Sequence, residues 1–286
     1  MADMLWLKLV TSFLTAVQTQ FPQPAAAPTQ PVAAIDKAAP EAALTADELL
    51  DRLETSDSKL STIQADVVYD KVMVIAGDRQ IRAGKLYFEN KADATTGEKH
   101  RRFAIYFDTL QLGEKVETKQ QQYIFDGEWL IEKLVADKQL IKRQVVKPGE
   151  KFDPLKIGEG PMPIPIGQKK QDIISRYDVT LVAASDGLED EGLKTFVEGA
   201  LQLKLIPKVG ADRDFKEIRL WYRVEPTLDG KPLLPRMART IDSADDVSLV
   251  QLIQLRINQK LDETQFDSTS PDPTWTVVVH PFRDGQ

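Results

Sequence analysis

Between residues 63 and 279 one signal dominates the chain, a hydrophobic period of two that returns again and again in short runs. Ile63, Ala65, Val67 and Tyr69 alternate with Gln64 and Asp66, and Phe103, Ile105 and Phe107 share one face of a later run. Leu201, Leu203 and Leu205 alternate with Gln202 and Lys204, and Ile218, Leu220 and Tyr222 with Glu217 and Arg219. Side chains on an extended backbone point to opposite faces in turn, so this pattern describes strands with one buried face. Further strand-like runs cover Gln80 to Glu89, Gln139 to Val146, Tyr177 to Ala183, Leu233 to Ile241, Val247 to Ile257 and Thr274 to Val279.

Short polar turns join neighbouring runs, among them Ala76-Gly77-Asp78, Asp229-Gly230 and Ser243-Ala244-Asp245-Asp246. Connections this short suit antiparallel pairing. Asp126-Gly127 between two apolar runs predicts a two-residue type I′ hairpin, with Ile124 opposite Trp129. Helical signals are few. Thr45 and Glu48 form a capping box ahead of Ala46, Leu49, Leu50 and Leu53, in a helix that stops near Ser56-Asp57-Ser58. Gln168 to Arg176 allows a short helix, whereas Pro161, Pro163 and Pro165 exclude a helix or a central strand before it. About ten one-sided strands with so little helix must curl to bury their apolar face. The expected fold is therefore mainly β, a curved antiparallel sheet forming a half-open barrel, with a few short helices.

Three segments are expected. Residues 1–20 read as a weak signal peptide, with Lys8 ahead of an apolar stretch too short to span a bilayer. Residues 21–44, with Pro22, Pro24, Pro28, Pro31 and Pro40 among alanines, form an extended linker. Residues 45–282 make one domain.

Charge and composition narrow the function. A net charge of −7 speaks against a nucleic-acid partner, which needs a basic face. The basic run Lys99-His100-Arg101-Arg102 reads as a solvated strand entrance. The chain has no cysteine and two histidines, His100 and His280, neither set in a motif. Thiolate sites are excluded, and a histidine-based triad or metal site lacks its parts. No metal, cofactor or catalytic residue is expected, and the 44 acidic residues read as solvated surface. Trp129 fits core filling or a wall that touches ligand.

The order of signals resembles a known family. Ala46 to Tyr69 gives a helix and a long strand behind an exported N-terminus, and Tyr123 to Ile131 a strand, Asp-Gly and return. Leu203-Lys204-Leu205-Ile206-Pro207-Lys208, the amphipathic strand Phe215 to Tyr222, and Phe266 followed by Pro271 and Pro273 complete the series. Over residues 46–282 the chain resembles the LolA-like periplasmic lipoprotein carriers, with LolB and the lipid-sensing domain of RseB-type regulators as relatives. The resemblance implies a half-barrel with a helical lid and an apolar interior for acyl chains of lipoproteins or lipids, lined here by Phe103, Ile105, Phe107, Trp129, Leu201, Leu203, Leu205, Ile218, Leu220 and Tyr222. The family holds its lid with an arginine near the third strand. Arg101 and Arg102 both match, and the family's neighbouring proline has no counterpart here. A soluble, monomeric periplasmic carrier with membrane-bound handover partners is implied. A lipid-sensing or protein-interaction module of the same fold is the alternative.

Overall fold

The computed structural model describes residues 44–92, 99–146, 163–164, 166–210, 214–225 and 232–282. The signal peptide, almost all of the linker, the Asp229-Gly230 turn, Pro161 and Pro165 lie outside the described residues. Helix α1, Ala46–Asp57, begins at the expected capping box. Thr45 Oγ1 accepts from the Glu48 backbone N–H at 3.2 Å, and the Glu48 carboxylate accepts from the Thr45 N–H at 2.8 Å. A first meander follows: β1 (Thr62–Met73), β2 (Asp78–Ala92), β3 (Lys99–Leu112), β4 (Lys115–Phe125), β5 (Trp129–Leu134) and β6 (Gln139–Gln144). Helix α2 (Lys170–Arg176) leads into β7 (Tyr177–Val182), helix α3 (Glu191–Phe196), β8 (Leu201–Pro207), β9 (Phe215–Val224), β10 (Leu233–Asp242) and β11 (Val247–Ile257). A 3-10 turn, Glu263–Phe266, and strand β12, Thr276–His280, complete the order.

All twelve strands belong to one sheet, in the order β12-β6-β5-β4-β3-β2-β1-β11-β10-β9-β8-β7. The two meanders meet where β1 pairs with β11, and the edge strands β12 and β7 do not pair with each other, so the curved sheet stays open. Gly84 serves that curvature. A Cβ there would overlap the Tyr106 carbonyl oxygen, at a register shift between β2 and β3. Only glycine lets the two backbones come this close.

The sheet departs from the expectation in four ways. It has twelve strands, where about ten were expected, and β4 starts at Lys115 and not near Tyr123. Its first half, KVETKQQ, is largely exposed and so carries no alternation to read. β12 pairs with β6 in parallel, the one pair among those described that is not antiparallel. The Asp126-Gly127 hairpin is wider than two residues: Phe125 pairs with Leu130 and Ile124 with Ile131. Asp126 Oδ1 accepts from the N–H groups of Glu128 and Trp129 at 3.1 and 2.9 Å, so a side-chain turn replaces type I′ geometry. Finally, the middle of the outward face of β8 and β9 is not solvated. Gln202 is fully buried and Arg219 nearly so, because the β7–β8 connection with α3 covers this face through Leu188, Val197 and Phe196 against Trp221 and Met237.

Candidate functional site: the lidded inner face

Cross-strand register places the apolar positions of both meanders on one continuous inner face. Leu203, Leu220, Ala238, Val250 and Tyr69 stand opposite one another in turn across β8, β9, β10, β11 and β1. In the first meander Ile63, Phe88, Phe103, Phe125 and Leu130 form one row, and Ala65, Leu86, Ile105 and Tyr123 the next. Residues directly opposite in an antiparallel pair share a face, which makes this a single apolar surface.

Among the described residues no second sheet covers it. Over β7–β10 the cover is α1 and α2, whose Leu49, Leu50, Leu53 and Ile173 pack on Leu203, Leu205, Ile218, Leu220 and Tyr222. Over β1–β4 it is Leu60, Val146, Ile164 and Ile166, packed on Phe88, Phe103, Ile105 and Phe107. Polar contacts fasten this lid at a few points. Arg101, on β3, donates from Nη2 to Asp57 Oδ2 at the end of α1 (2.7 Å) and from Nη1 to the Gly167 carbonyl (3.0 Å). Gly167 has φ +71°, and a Cβ on it would run into the Arg101 guanidinium, so the loop fits the arginine only as glycine. Ser56 Oγ accepts from the Leu233 N–H at 3.0 Å, tying α1 to β10. Lys170 joins the two helices through Asp47 and Asp51 at 2.9 and 2.7 Å.

The two candidate arginines therefore separate by face. Arg101 shares the inner face with Phe103 and bridges the lid. Arg102 points the other way, to Glu89 (2.6 Å) and Glu263 (2.7 Å), with its guanidinium 4.1 Å from the Phe266 ring centre. It clamps the 3-10 turn to the outer face of the first meander.

Of the ten side chains expected to line an interior, nine lie on the inner face. Phe103, Ile105 and Phe107 belong to the cluster under Ile164 and Ile166, and Leu201, Leu203, Leu205, Ile218, Leu220 and Tyr222 to the cluster under α1. Trp129 does not join them. It lies with Ile124, Ile131 and Phe266 on the outer face, because it has the same strand phase as Ile131, the partner of Ile124. Lys142 Nζ stands 4.7 Å from the Trp129 ring centre.

The inner face is closed in this structure. Phe103, Ile105 and Phe107 keep at most 1 % of their surface, and Leu203, Leu205, Ile218 and Leu220 keep none. Walls of an acyl-sized chamber would retain accessible surface. At the seam between the two clusters, Leu53, Asp57, Ile166, Gly167, Tyr222 and Leu233 enclose about 20 Å³, room for roughly one water. The Tyr222 hydroxyl is buried there without a hydrogen-bond partner among the described residues, and burial, then the Asp57 charge, push its pKa far up. The lid residues Ile164, Ile166, Gly167, Ser56 and Lys170 were not identified from the sequence. Isoleucines between prolines show no period, and only the glycine could have marked the loop.

Toward the opposite end the inner face turns polar. Gln121 donates to Tyr123 Oη and Glu132 Oε1, both at 2.7 Å, and Tyr69 Oη lies 3.2 Å from Ser248 Oγ. Burial, with the Glu132 charge next, raises the Tyr123 pKa strongly. Among the described residues no group of three or more His, Asp or Glu could hold a metal ion, and no helix is long and apolar enough to cross a membrane.

The sequence matches no protein-family model and no curated protein. The chain is similar to several solved structures. One is an uncharacterized conserved protein from Thermus thermophilus, 15 % identical, with a TM-score of 0.44 over 82 % of this chain and 99 % of that one. Another is the MucA/MucB complex of Pseudomonas aeruginosa, 19 % identical, with a TM-score of 0.39 over 78 % of this chain and 60 % of that one. A third is a LolA superfamily protein from Nitrosomonas europaea, 12 % identical, with a TM-score of 0.28 over 79 % of this chain and 98 % of that one. At these values the likeness concerns the course of the chain and says nothing of a ligand.

Proposed function

We propose that the chain is a periplasmic carrier that takes up acyl chains of lipoproteins or lipids on the inner face of its sheet, without catalysis, when the lid lifts. One observation carries this reading. An apolar surface continuous from β8 to β5 is covered by two short helices and a loop, and the lid is fastened by polar contacts centred on Arg101. The cover consists of pieces that can leave without breaking a single strand-to-strand bond. An acyl chain replacing Leu49, Leu53 and Ile166 over the sheet would bury about 0.8 kcal/mol of transfer free energy per methylene, which offsets the loss of their contacts. Handover to membrane-bound partners would follow the same lid movement in reverse.

A fluorescent fatty-acyl probe should bind saturably to the folded protein and be displaced by lipopeptide or phospholipid. Absence of saturable binding, with Leu220 behaving as a close-packed core residue, would retire the carrier reading. Export is tested separately: protein recovered from its native host should have lost about twenty or more N-terminal residues, as removal of a secretory signal requires.

A further inference from the structure

Arg82 stands where the inner face passes from apolar to polar. Its cross-strand partners are Tyr69 on β1 and Leu110 on β3, one row beyond Val67, Gly84 and Phe107. Its Nη1 is buried and has no hydrogen-bond partner, and no ion pair reaches this arginine among the described residues. A guanidinium offers five donors. Leaving a buried donor unmade is costly, the more so for a charged group, so an unpaired arginine here calls for an acceptor. Lys71, on the same face of β1 and diagonal to Arg82, has no ion pair either among the described residues.

Neighbouring carboxylates do not supply the acceptor. Glu132 is engaged by Gln121, Tyr123 and Arg143, Asp78 accepts from Gln80 at 3.2 Å, and Glu117 pairs with Lys115 at 3.1 Å. Asp242 accepts from the N–H groups of its own turn, Ala244 and Asp246. The hydroxyls of Tyr69 and Ser248 lie beside the two cations on the same face. Arg82, Tyr69 and Lys71 are half-buried and keep a path to solvent, whereas Val67 and Phe107, one row deeper, keep 1 % of their surface.

We infer that Arg82, with Lys71 beside it, anchors the anionic end of an amphiphile whose alkyl chain runs along the inner face from Phe107 toward Ile63. The inference rests on the acyl-binding reading and adds the headgroup to it. From Tyr69 to Ile63 the strand advances about 20 Å at roughly 3.3 Å per residue, the length of a long acyl chain. The chemistry is a single acyl chain ending in a carboxylate or phosphate. A fatty acid and an anionic lysophospholipid share it.

The test is displacement of the fluorescent acyl probe from the intact protein by palmitate, by its neutral glycerol ester and by inorganic phosphate, with Arg82→Met and Arg82→Lys alongside. Palmitate should displace the probe at roughly one-tenth the concentration the ester needs, the effect of a charge-assisted hydrogen bond. That preference should vanish in Arg82→Met, persist in part in Arg82→Lys, and narrow with added salt in the unaltered protein. Phosphate alone should not compete. Equal displacement by acid and ester, a preference that survives in Arg82→Met, or phosphate acting as well as palmitate would each overturn the anchor and leave acyl binding standing. Failure of every acyl compound to displace, or of the probe to bind, would remove both. Should Arg82→Met not fold, the lysine variant and the salt dependence decide the matter.

Discussion

Arg101 and Arg102 are neighbours in the chain and serve opposite faces, which makes them a direct test of what fastens the lid. Arg101 and Asp57 are both about one-sixth exposed, so their bond is partly desolvated and stronger than a surface pair. Arg101→Ala should destabilise the fold by about 1–3 kcal/mol, read from denaturant melts, because it strips the Gly167 carbonyl and the end of α1 of a shared donor. It should also speed uptake of an acyl probe in stopped-flow. Arg102→Ala should leave that rate alone, since its partners Glu89 and Glu263 lie on the outer face. Equal rates for both variants would mean that Arg101 does not restrain the lid. The distinction between the two was legible in the sequence. Phe103, Ile105 and Phe107 fix the phase of the inner face, and Arg101 is in phase with them while Arg102 is not. Trp129 could not be excluded in the same way, because the face of Ile124 is fixed only by the pairing of β4 with β3.

Among the elements, the β7–β8 connection was the least readable, because nothing in alternating β8 and β9 announces that their polar face is covered. The cover packs through apolar side chains and is tied down by an ion-pair network on the strands beneath. Arg219 donates to Glu217 at 2.5 Å and to Asp186 at 2.6 Å, and Lys204 pairs with Glu217 at 3.3 Å. Burial pushes the Glu217 carboxyl up, but the Arg219 bond and charge, together with Lys204, outweigh it and hold the pKa below its ordinary 4.5. A folded pKa lower than the unfolded one means stability that is present above the ordinary value and is lost as pH falls through the folded one. The advantage of the unaltered protein over Glu217→Gln should therefore be constant above pH 4.5 and disappear on acidification below it. An advantage independent of pH would assign the role of Glu217 to shape rather than charge. On the inner side of the same strands, Leu220 keeps no exposed surface beneath α1. Leu220→Trp should cost about 1–3 kcal/mol in melts of the free protein, as overpacking does. A cost near zero would show that α1 yields to added volume as easily as it should yield to an acyl chain. Face and the helix start were readable because alternation and capping are local. The breadth of the Asp126 turn follows from a local side-chain bond that competes with type I′ geometry, and the parallel β12 depends on a partner distant in sequence.

At the scale of the molecule, a filled inner face and an acyl carrier are compatible only if lid and sheet differ in how firmly they are held. The sheet is one hydrogen-bonded body from β12 to β7. The lid touches it through side chains, through the bonds of Arg101 and Ser56, and through Lys208 at the end of β8, whose N–H and Nζ donate to the Arg176 and Ile174 carbonyls of α2 at 2.8 and 2.6 Å. Amide exchange measures this difference, since local opening proceeds at a lower free energy wherever few long-range bonds must break. In the free protein the amides of α1 and α2 should exchange well before those of β1, β2 and β3. Saturating acyl probe should then move the two in opposite directions. The ligand takes the place of Leu49, Leu53 and Ile166 on the inner face, so the sheet amides become slower and those of α1 faster. Slowing of both would mean that ligand sits beneath a closed lid in a chamber formed elsewhere. No change on the sheet would place binding off the inner face altogether. Opposite movement has a further consequence for the two ends of the trough. Arg101 closes the end carrying Phe103, whereas Arg82 and Lys71 remain half-buried at the other. A chain anchored by its headgroup at Arg82 would thus advance row by row toward Phe103 beneath Ile164 and Ile166, so exchange at the residues after Gly167 should rise with probe length before exchange at Leu49, which covers the other meander.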